Sequence, residues 1–432
     1  MKKKVGLISL GCPKNLVDSE IMLGLLNKSR YEIINDKEQA DIIIVNTCGF
    51  IESAKKESVD TILEMAECKK NKCELLVVTG CLAERYRNEI TESIPEVDVL
   101  IGTGGYGDIV KAINKAYSNK KVRHFPEQVN LAYLNNKRML SSDKGYAYLK
   151  IAEGCDNRCA YCAIPSIRGR YRSRKIQDIL KEAEYLASIG KKEIILVSQD
   201  TTRYGIDIYK QKSLVKLIRK LSGLKGIDWI RLLYCYPEEI DDELIDELKN
   251  SEKLCKYIDI PIQHISDGIL KAMGRRGTSA DIESLIVKLR ERVPEIAIRT
   301  SLMVGFPGEN ERDFKLLFDF VKRIKFERLG VFAYSREDGT RAADMKSQVR
   351  KAIKEKRHKS IMRVQNNINK KKNRNRIGKQ DKVIVDGISD DGKFYYGRSY
   401  AESPEIDWII FFKSDKVLNI GDILTAHILA IK

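Results

Sequence analysis

Hydrophobic positions in residues 1–117 come in short continuous runs separated by amphipathic stretches. The runs at 5–10, 42–45, 75–78 and 99–101 are rich in Val, Ile and Leu. Each is followed by a helix-like segment, at 18–26, 52–66, 83–89 and 107–116. Brief apolar strands alternating with helices predict a parallel sheet covered on both faces. The expected N-terminal unit is a small doubly wound α/β domain of flavodoxin-like type.

Residues 118–144 are polar, contain Pro126 and carry Ser141-Ser142-Asp143; they read as a connector. A second alternating array spans 145–345, with strands expected at 146–151, 193–197, 229–233, 257–260, 297–303 and 328–332. Helical stretches at 176–189, 214–221 and 282–292 lie between them. Six β/α units fit a partial barrel better than a complete eightfold one. Residues 346–370 are helical in pattern and lack Gly and Pro, which makes 346–380 a helical connector. The last segment, 381–432, has short strands broken by Asp386-Gly387, Asp391-Gly392 and Asn419-Ile420-Gly421. It reads as a small all-β module.

Composition narrows the class. With 43% hydrophobic residues the chain can bury real cores, which excludes a wholly disordered protein. No apolar run approaches the ~18 residues of a membrane helix. Met1-Lys2-Lys3-Lys4 and the run after it lack the features of a signal peptide. The expectation is a cytoplasmic protein with no membrane partner. In that compartment the ten cysteines are more readily metal ligands than disulfides.

The formal charge of +17 suggests an anionic partner such as nucleic acid. Its distribution changes that reading. Residues 346–379 hold fourteen Lys/Arg and one Glu, a net +13. Residues 381–432 hold six Lys/Arg and nine Asp/Glu, a net −3. An acidic terminal module suits a basic protein partner better than a phosphate backbone. The basic helix is either a solvated face or an RNA contact.

The sharpest local signal is Gly154-Cys155-Asp156-Asn157-Arg158-Cys159-Ala160-Tyr161-Cys162. Its C-x3-C-x2-C spacing follows the first strand of the second array. Three thiolates on a short loop can hold three irons of a cubane cluster and leave the fourth iron open. A structural zinc site closes with four ligands, and no second Cys pair follows. A second set, Cys12, Cys48 and Cys81, is scattered in sequence. Each member lies just past the carboxyl end of a predicted strand and next to a glycine (Gly11, Gly49, Gly80). Open α/β sheets place ligands at those strand ends. A second three-cysteine cluster is expected there, against the alternative of three buried thiols. Cys68, Cys73, Cys235 and Cys255 read as structural.

The three-cysteine loop resembles that of the radical S-adenosylmethionine (SAM) superfamily. Together with the N-terminal triad and the terminal β-module, it makes the whole chain similar to the methylthiotransferase family. That resemblance implies a radical SAM barrel, a TRAM-type C-terminal module, two 4Fe–4S clusters, SAM and an electron donor. It implies that Cys155, Cys159 and Cys162 hold the catalytic cluster, and that Cys12, Cys48 and Cys81 hold a cluster carrying the transferred sulfur.

The strings at 9–15, 163–170, 261–266 and 397–407, and Arg336-Glu337-Asp338-Gly339-Thr340, resemble the branch that methylthiolates an aspartate β-carbon of ribosomal protein S twelve. The resemblance therefore implies that protein as partner, free or in the small subunit; a ribosomal RNA contact would come from the basic helix at 346–379, if it is not simply a solvated face. Two other readings stay open. One is the same chemistry on tRNA adenosine; the other is a non-catalytic iron–sulfur carrier. Gln199 and Arg299 are expected to hold SAM. Gln199 closes the second barrel strand, and Arg299 would point into the barrel, where its fork suits a carboxylate. Asp200 and His264 are further polar residues expected at the barrel mouth.

Overall fold

The computed structural model describes residues 2–118, 121–127 and 130–431. Four residues of the sequence-predicted connector, 119–120 and 128–129, lie outside the described residues, as do Met1 and Lys432.

The N-terminal sheet is built from β1 (Lys4–Ser9), β2 (Glu32–Ile33), β3 (Ile42–Thr47), β4 (Leu75–Gly80), β5 (Val99–Ile101) and β6 (Val122–His124), in the order β2-β1-β3-β4-β5-β6. Every pairing is parallel. β3 and β4 are buried along their whole length, as their unbroken apolar runs require. Helices α1 (Pro13–Lys28), α2 (Glu52–Glu67), α3 (Cys81–Arg85), α4 (Arg87–Ser93) and α5 (Ile109–Ala116) cover the sheet. α1 starts five residues before its predicted apolar stretch because Pro13 occupies its first turn, where a missing N–H costs nothing. The single helix expected at 83–89 is two, parted at Tyr86. β6 lies inside the segment read from sequence as a polar connector. Its three residues follow no apolar run, but Val122 is buried against the sheet edge.

The second unit holds β7 (Tyr146–Lys150), the short antiparallel pair β8 (Ala152–Glu153) and β9 (Arg172–Ser173), then β10 (Glu193–Val197), β11 (Trp229–Leu232), β12 (Leu254–Gln263), β13 (Ala297–Val304) and β14 (Arg328–Ala333). Its helices are α6 (Ile164–Arg168), α7 (Ile176–Ser188), α8 (Ile206–Tyr209), α9 (Leu214–Ser222), α10 (Asp242–Asn250), α11 (Asp267–Ala272), α12 (Ser279–Arg292) and α13 (Glu311–Ile324). The order β14-β13-β12-β11-β10-β7 is all parallel, a six-stranded open barrel. The outer core packs these strands against their helices, as with Ile179, Leu217, Leu248 and Phe320. A second cluster runs from Val5 and Ile42 through Tyr148, Val197 and Tyr257 to Ile384, so apolar packing is continuous through all three units.

A 24-residue helix, α14 (Lys351–Arg374), leads to β15 (Gln380–Ile388), β16 (Tyr395–Arg398), β17 (Ile410–Phe412), β18 (Ile423–His427) and β19 (Ala430–Ile431). These form one antiparallel sheet, ordered β18-β15-β16-β17-β19. The module docks on the barrel through buried charge. Arg398 and Arg231 grip Glu193 at 2.7 and 2.6 Å, and Glu402 pairs with Arg328 and Arg376. This corrects the reading of the module's acidity. Asp381, Asp386, Glu402, Glu405 and Asp407 are engaged by Arg376, Arg398, Arg328, Tyr146 and Tyr257. Much of its negative charge is therefore used internally and is not presented to a partner. Among the described residues no helix is long and apolar enough to cross a membrane.

Candidate active site

The scattered cysteines converge because their strands are neighbours. Cys12 precedes α1, Cys48 follows β3 and Cys81 opens α3. Pairing of β1 with β3 and of β3 with β4 sets the three loops side by side. A Cβ on Gly11 would lie 2.9 Å from Cys48 Sγ, and Gly11 has a φ of +90°. Only glycine lets the first loop come so close to the second. A Cβ on Gly49 would sit 2.8 Å from the backbone nitrogen of Leu82, beside Cys81. Ser58 Oγ pins the middle loop, accepting from Cys48 N–H at 3.0 Å and donating to its carbonyl at 2.9 Å.

Burial and the neighbouring Cys81 push the Cys48 thiol up to about 11. Burial likewise raises Cys81, opposed by Arg168. Desolvation of the half-buried Cys12 works the same way, but Lys14 and Arg168 outweigh it and hold its thiol below the ordinary value.

Cys155, Cys159 and Cys162 lie on the loop between β8 and α6. Backbone bonds tie this loop to its surroundings: Cys155 N–H to Gly169 O at 3.1 Å, and Ala160 N–H to Met273 O at 2.8 Å. Asn157 Nδ2 donates to Asp200 Oδ2 at 2.8 Å, so Asp200 braces the loop. The Tyr236 hydroxyl is 3.1 Å from Cys159 Sγ, and the Arg275 guanidinium lies 3.7 Å from the centroid of that ring. Burial pushes Cys155 up to about 11 and, with Cys159 beside it, Cys162 up to about 12. Among the described residues no three His, Cys, Asp or Glu side chains close tightly enough to hold one metal ion. A cubane spaces its thiolates more widely than a single ion does. Three thiolates per triad match a cubane with one iron left open, whereas a structural zinc needs a fourth ligand.

The two triads meet at the junction of the units. Cys81 packs on Ala163 and Ile167, and Ala163 directly follows Cys162. Arg168, the last residue of α6, reaches back into the N-terminal unit. Its Nη2 donates to Cys81 Sγ at 3.3 Å and Asn15 Oδ1 at 3.1 Å. Its Nη1 donates to Asp18 at 2.8 Å and Glu153 at 3.2 Å. Lys150 joins the same two carboxylates. Burial opposes ionisation of Glu153, but Arg168 and Lys150 hold its carboxyl far below the usual range. Lys14 lies nearby on α1, with Nζ 3.4 Å from the centroid of the Tyr234 ring.

The remaining candidates divide. Gln199 Nε2 donates to Glu153 Oε1 at 2.6 Å, while its own Oε1 is buried without a hydrogen-bond partner among the described residues; such an acceptor beside the loop suits a ligand ammonium. Arg299 does not serve as expected. Its guanidinium pairs with Asp259 at 2.7 Å and faces Asp407 of the C-terminal module at 4.0 Å. Arg299 is the third residue of β13, too near the strand's start to reach the carboxyl end. His264 is fully buried, accepts from Ser266 N–H, and is held at about 4 by burial; it is a core residue.

Sequence reasoning did not single out Lys14, Asp18, Lys150, Glu153, Arg168 or Tyr234. A signal existed: charged residues stand inside otherwise apolar elements, and such residues are buried only when paired.

Comparison with known proteins fits this geometry. Residues 4–102 match the model described as Uncharacterized protein family UPF0004, 149–321 the Radical SAM superfamily, and 377–432 the TRAM domain. The chain is 58% identical to the ribosomal protein uS12 methylthiotransferase RimO of Acetivibrio thermocellus, covering 100% of this chain and 97% of that one. It is 53% identical to the enzyme of the same name from Clostridium tetani, covering 99% and 96%. Among solved structures, the radical SAM methyltransferase TsrM of Kitasatospora setae shares the fold at a TM-score of 0.57 and 16% identity, over 76% of this chain and 73% of that one. The two curated matches extend over essentially the whole of both chains. The chain belongs to the ribosomal protein uS12 methylthiotransferase RimO family of the radical SAM superfamily.

Proposed function

We propose that this chain methylthiolates the β-carbon of an aspartate in ribosomal protein uS12, with its two cysteine triads as the seats of two 4Fe–4S clusters. The observation that carries this reading is the contact of Cys81 with Ala163, which brings the triads to one junction. When bound, the barrel-loop cluster delivers the electron that cleaves SAM, and the N-terminal cluster supplies sulfur.

The chain's own residues do the rest. Cys155, Cys159 and Cys162 hold the first cluster on a loop that Asp200 and Met273 fix in place. Cys12, Cys48 and Cys81 hold the second. The free Oε1 of Gln199 accepts from the SAM ammonium. The buried ring of Asp18, Lys150, Glu153 and Arg168 fixes the spacing between the two sites and excludes water.

Further partners follow from charge and redox need. A one-electron donor must reduce the barrel cluster, and the cytoplasm keeps ten free thiols reduced. On α14, Arg357 and Lys372 turn inward to Glu309 and Glu327. Lys356, Lys359, Arg363, Lys370 and Arg374 are exposed and, among the described residues, make no ion pair. Their spacing forms one stripe about 27 Å long, suited to ribosomal RNA phosphates beside the substrate.

The test is incubation of reduced, iron-loaded protein with SAM, sulfide and either uS12 or tRNA. A mass gain of one SCH3 group on uS12 is expected. The same gain on tRNA alone would overturn the reading.

A further inference from the structure

The junction between the N-terminal unit and the barrel buries two carboxylates, Asp18 and Glu153, and three cations, Lys14, Lys150 and Arg168. Both carboxylates are taken by Lys150 and Arg168. Lys14 is left over. It is only 7% exposed, and among the described residues it makes no ion pair. Its Nζ rests on the Tyr234 ring at 3.4 Å. A ring face offsets part of the cost of drying an ammonium, but not all of it.

Tyr234 is itself held in an unfavourable conformation. Its φ is +61°, in the left-handed region that bulky residues rarely adopt. Two bonds keep it there: its N–H donates to Asp259 Oδ2 at 3.0 Å, and its carbonyl accepts from Thr201 N–H at 3.0 Å. The ring stands just beyond the carboxyl end of β11, on the face where barrel enzymes bind substrate. Lys14 follows Cys12 by two residues, so its ammonium lies beside the N-terminal triad.

We propose that Lys14, seated on Tyr234, binds the side-chain carboxylate of the substrate aspartate and so selects an acidic side chain. The inference rests on the functional reading above. In aspartate the β-carbon is bonded directly to the carboxylate carbon. A cation that fixes the carboxylate therefore fixes the reacting carbon beside the triad. A neutral amide at the same position offers the ammonium no opposite charge and binds less well.

The experiment compares two synthetic peptides of the uS12 target loop, one with Asp and one with Asn at the modified position. Equilibrium binding to iron-loaded wild-type protein with SAM present should favour Asp by about tenfold or more. Lys14→Gln should bring the two peptides to near parity, whereas Lys14→Arg should keep part of the preference. Tyr234→Leu, which removes the platform but leaves the ammonium, should weaken the preference. It serves if Lys14→Gln fails to load iron.

Equal binding of the two peptides by the wild type would overturn the proposal. So would a preference that survives in iron-loaded Lys14→Gln, because Lys14 would then only balance thiolate charge. Absence of any methylthio product on uS12 would strike the functional reading. Product formation with equal Asp and Asn binding strikes only the role of Lys14.

Discussion

Arg168 donates to the sulfur of Cys81 across the junction of two domains, at 3.3 Å. Arg168 belongs to the barrel and closes the helix after the Cys155–Cys162 loop; Cys81 belongs to the N-terminal sheet. One guanidinium therefore reports the state of one cysteine triad to the domain that holds the other. A cationic donor to a cluster thiolate stabilises added negative charge and raises the reduction potential.

Replacing Arg168 by Gln should make the N-terminal cluster harder to reduce. A tenfold change in the one-electron equilibrium corresponds to about 59 mV, and a negative shift of about this size is expected. An EPR-monitored redox titration reads it most cleanly in a Cys155→Ala, Cys159→Ala, Cys162→Ala background. A potential equal to that of the Arg168 parent would remove the electrostatic role.

Gly11→Ala should empty the N-terminal triad and spare the barrel loop. The added methyl group meets Cys48 Sγ at 2.9 Å, and a φ of +90° disfavours any side chain. Iron should fall from about eight to about four per chain, while reductive cleavage of SAM persists. Iron and sulfide analysis, with 5′-deoxyadenosine measured alongside, checks both halves. Full iron content in the variant would show that the loops can part without losing the site.

The docking of the C-terminal module should be acid-sensitive. Burial disfavours ionised Glu402, yet Arg328 and Arg376 outweigh it and hold the carboxyl at about 2, against an ordinary 4.5. A depressed carboxyl stabilises the fold fully above the unfolded value, and that stability is lost as pH falls from about 4.5 through about 2. The amount is on the order of 3 kcal/mol. Urea unfolding followed by Trp408 fluorescence in a Trp229→Phe chain should show this slope, and Glu402→Gln should flatten it.

Reversing three charges of the α14 stripe, Lys356→Glu, Lys359→Glu and Arg363→Glu, should weaken binding to the small ribosomal subunit. The slope of log affinity against log salt should drop by about 2, since each lost phosphate contact on single-stranded RNA contributes roughly 0.7. Binding of the isolated uS12 peptide should not change. An unchanged salt slope on the subunit would show that the stripe is only a solvated face.

The strands that carry the chemistry were legible because each is an unbroken apolar run, and 193–197 and 99–101 match their predicted bounds. The meeting of Cys12, Cys48 and Cys81 was legible because strand ends in a parallel sheet converge, while Cys155, Cys159 and Cys162 stood together by spacing alone. β6 was not, because a three-residue edge strand needs only Val122 buried and leaves no run to read. Arg299 misled because alternation along a strand tells which face a side chain takes but not how far along the barrel it lies. Lys14, Arg168 and Glu153 were invisible singly. Their meaning depends on partners on other elements, up to 150 residues away for Arg168 and Asp18, and periodicity carries no information at that range.

The buried pairing of Arg398 with Glu193 has a consequence for how such a chain can be rebuilt. Its three units look like interchangeable cassettes, yet cutting away the last one would strand Glu193, Arg231 and Arg328 at the bottom of the barrel with half their partners gone. Losing one member of a buried pair costs more than the pair itself contributes. Grafting a foreign RNA-binding module onto this barrel would therefore require Glu193 and Arg231 to be redesigned together with the graft.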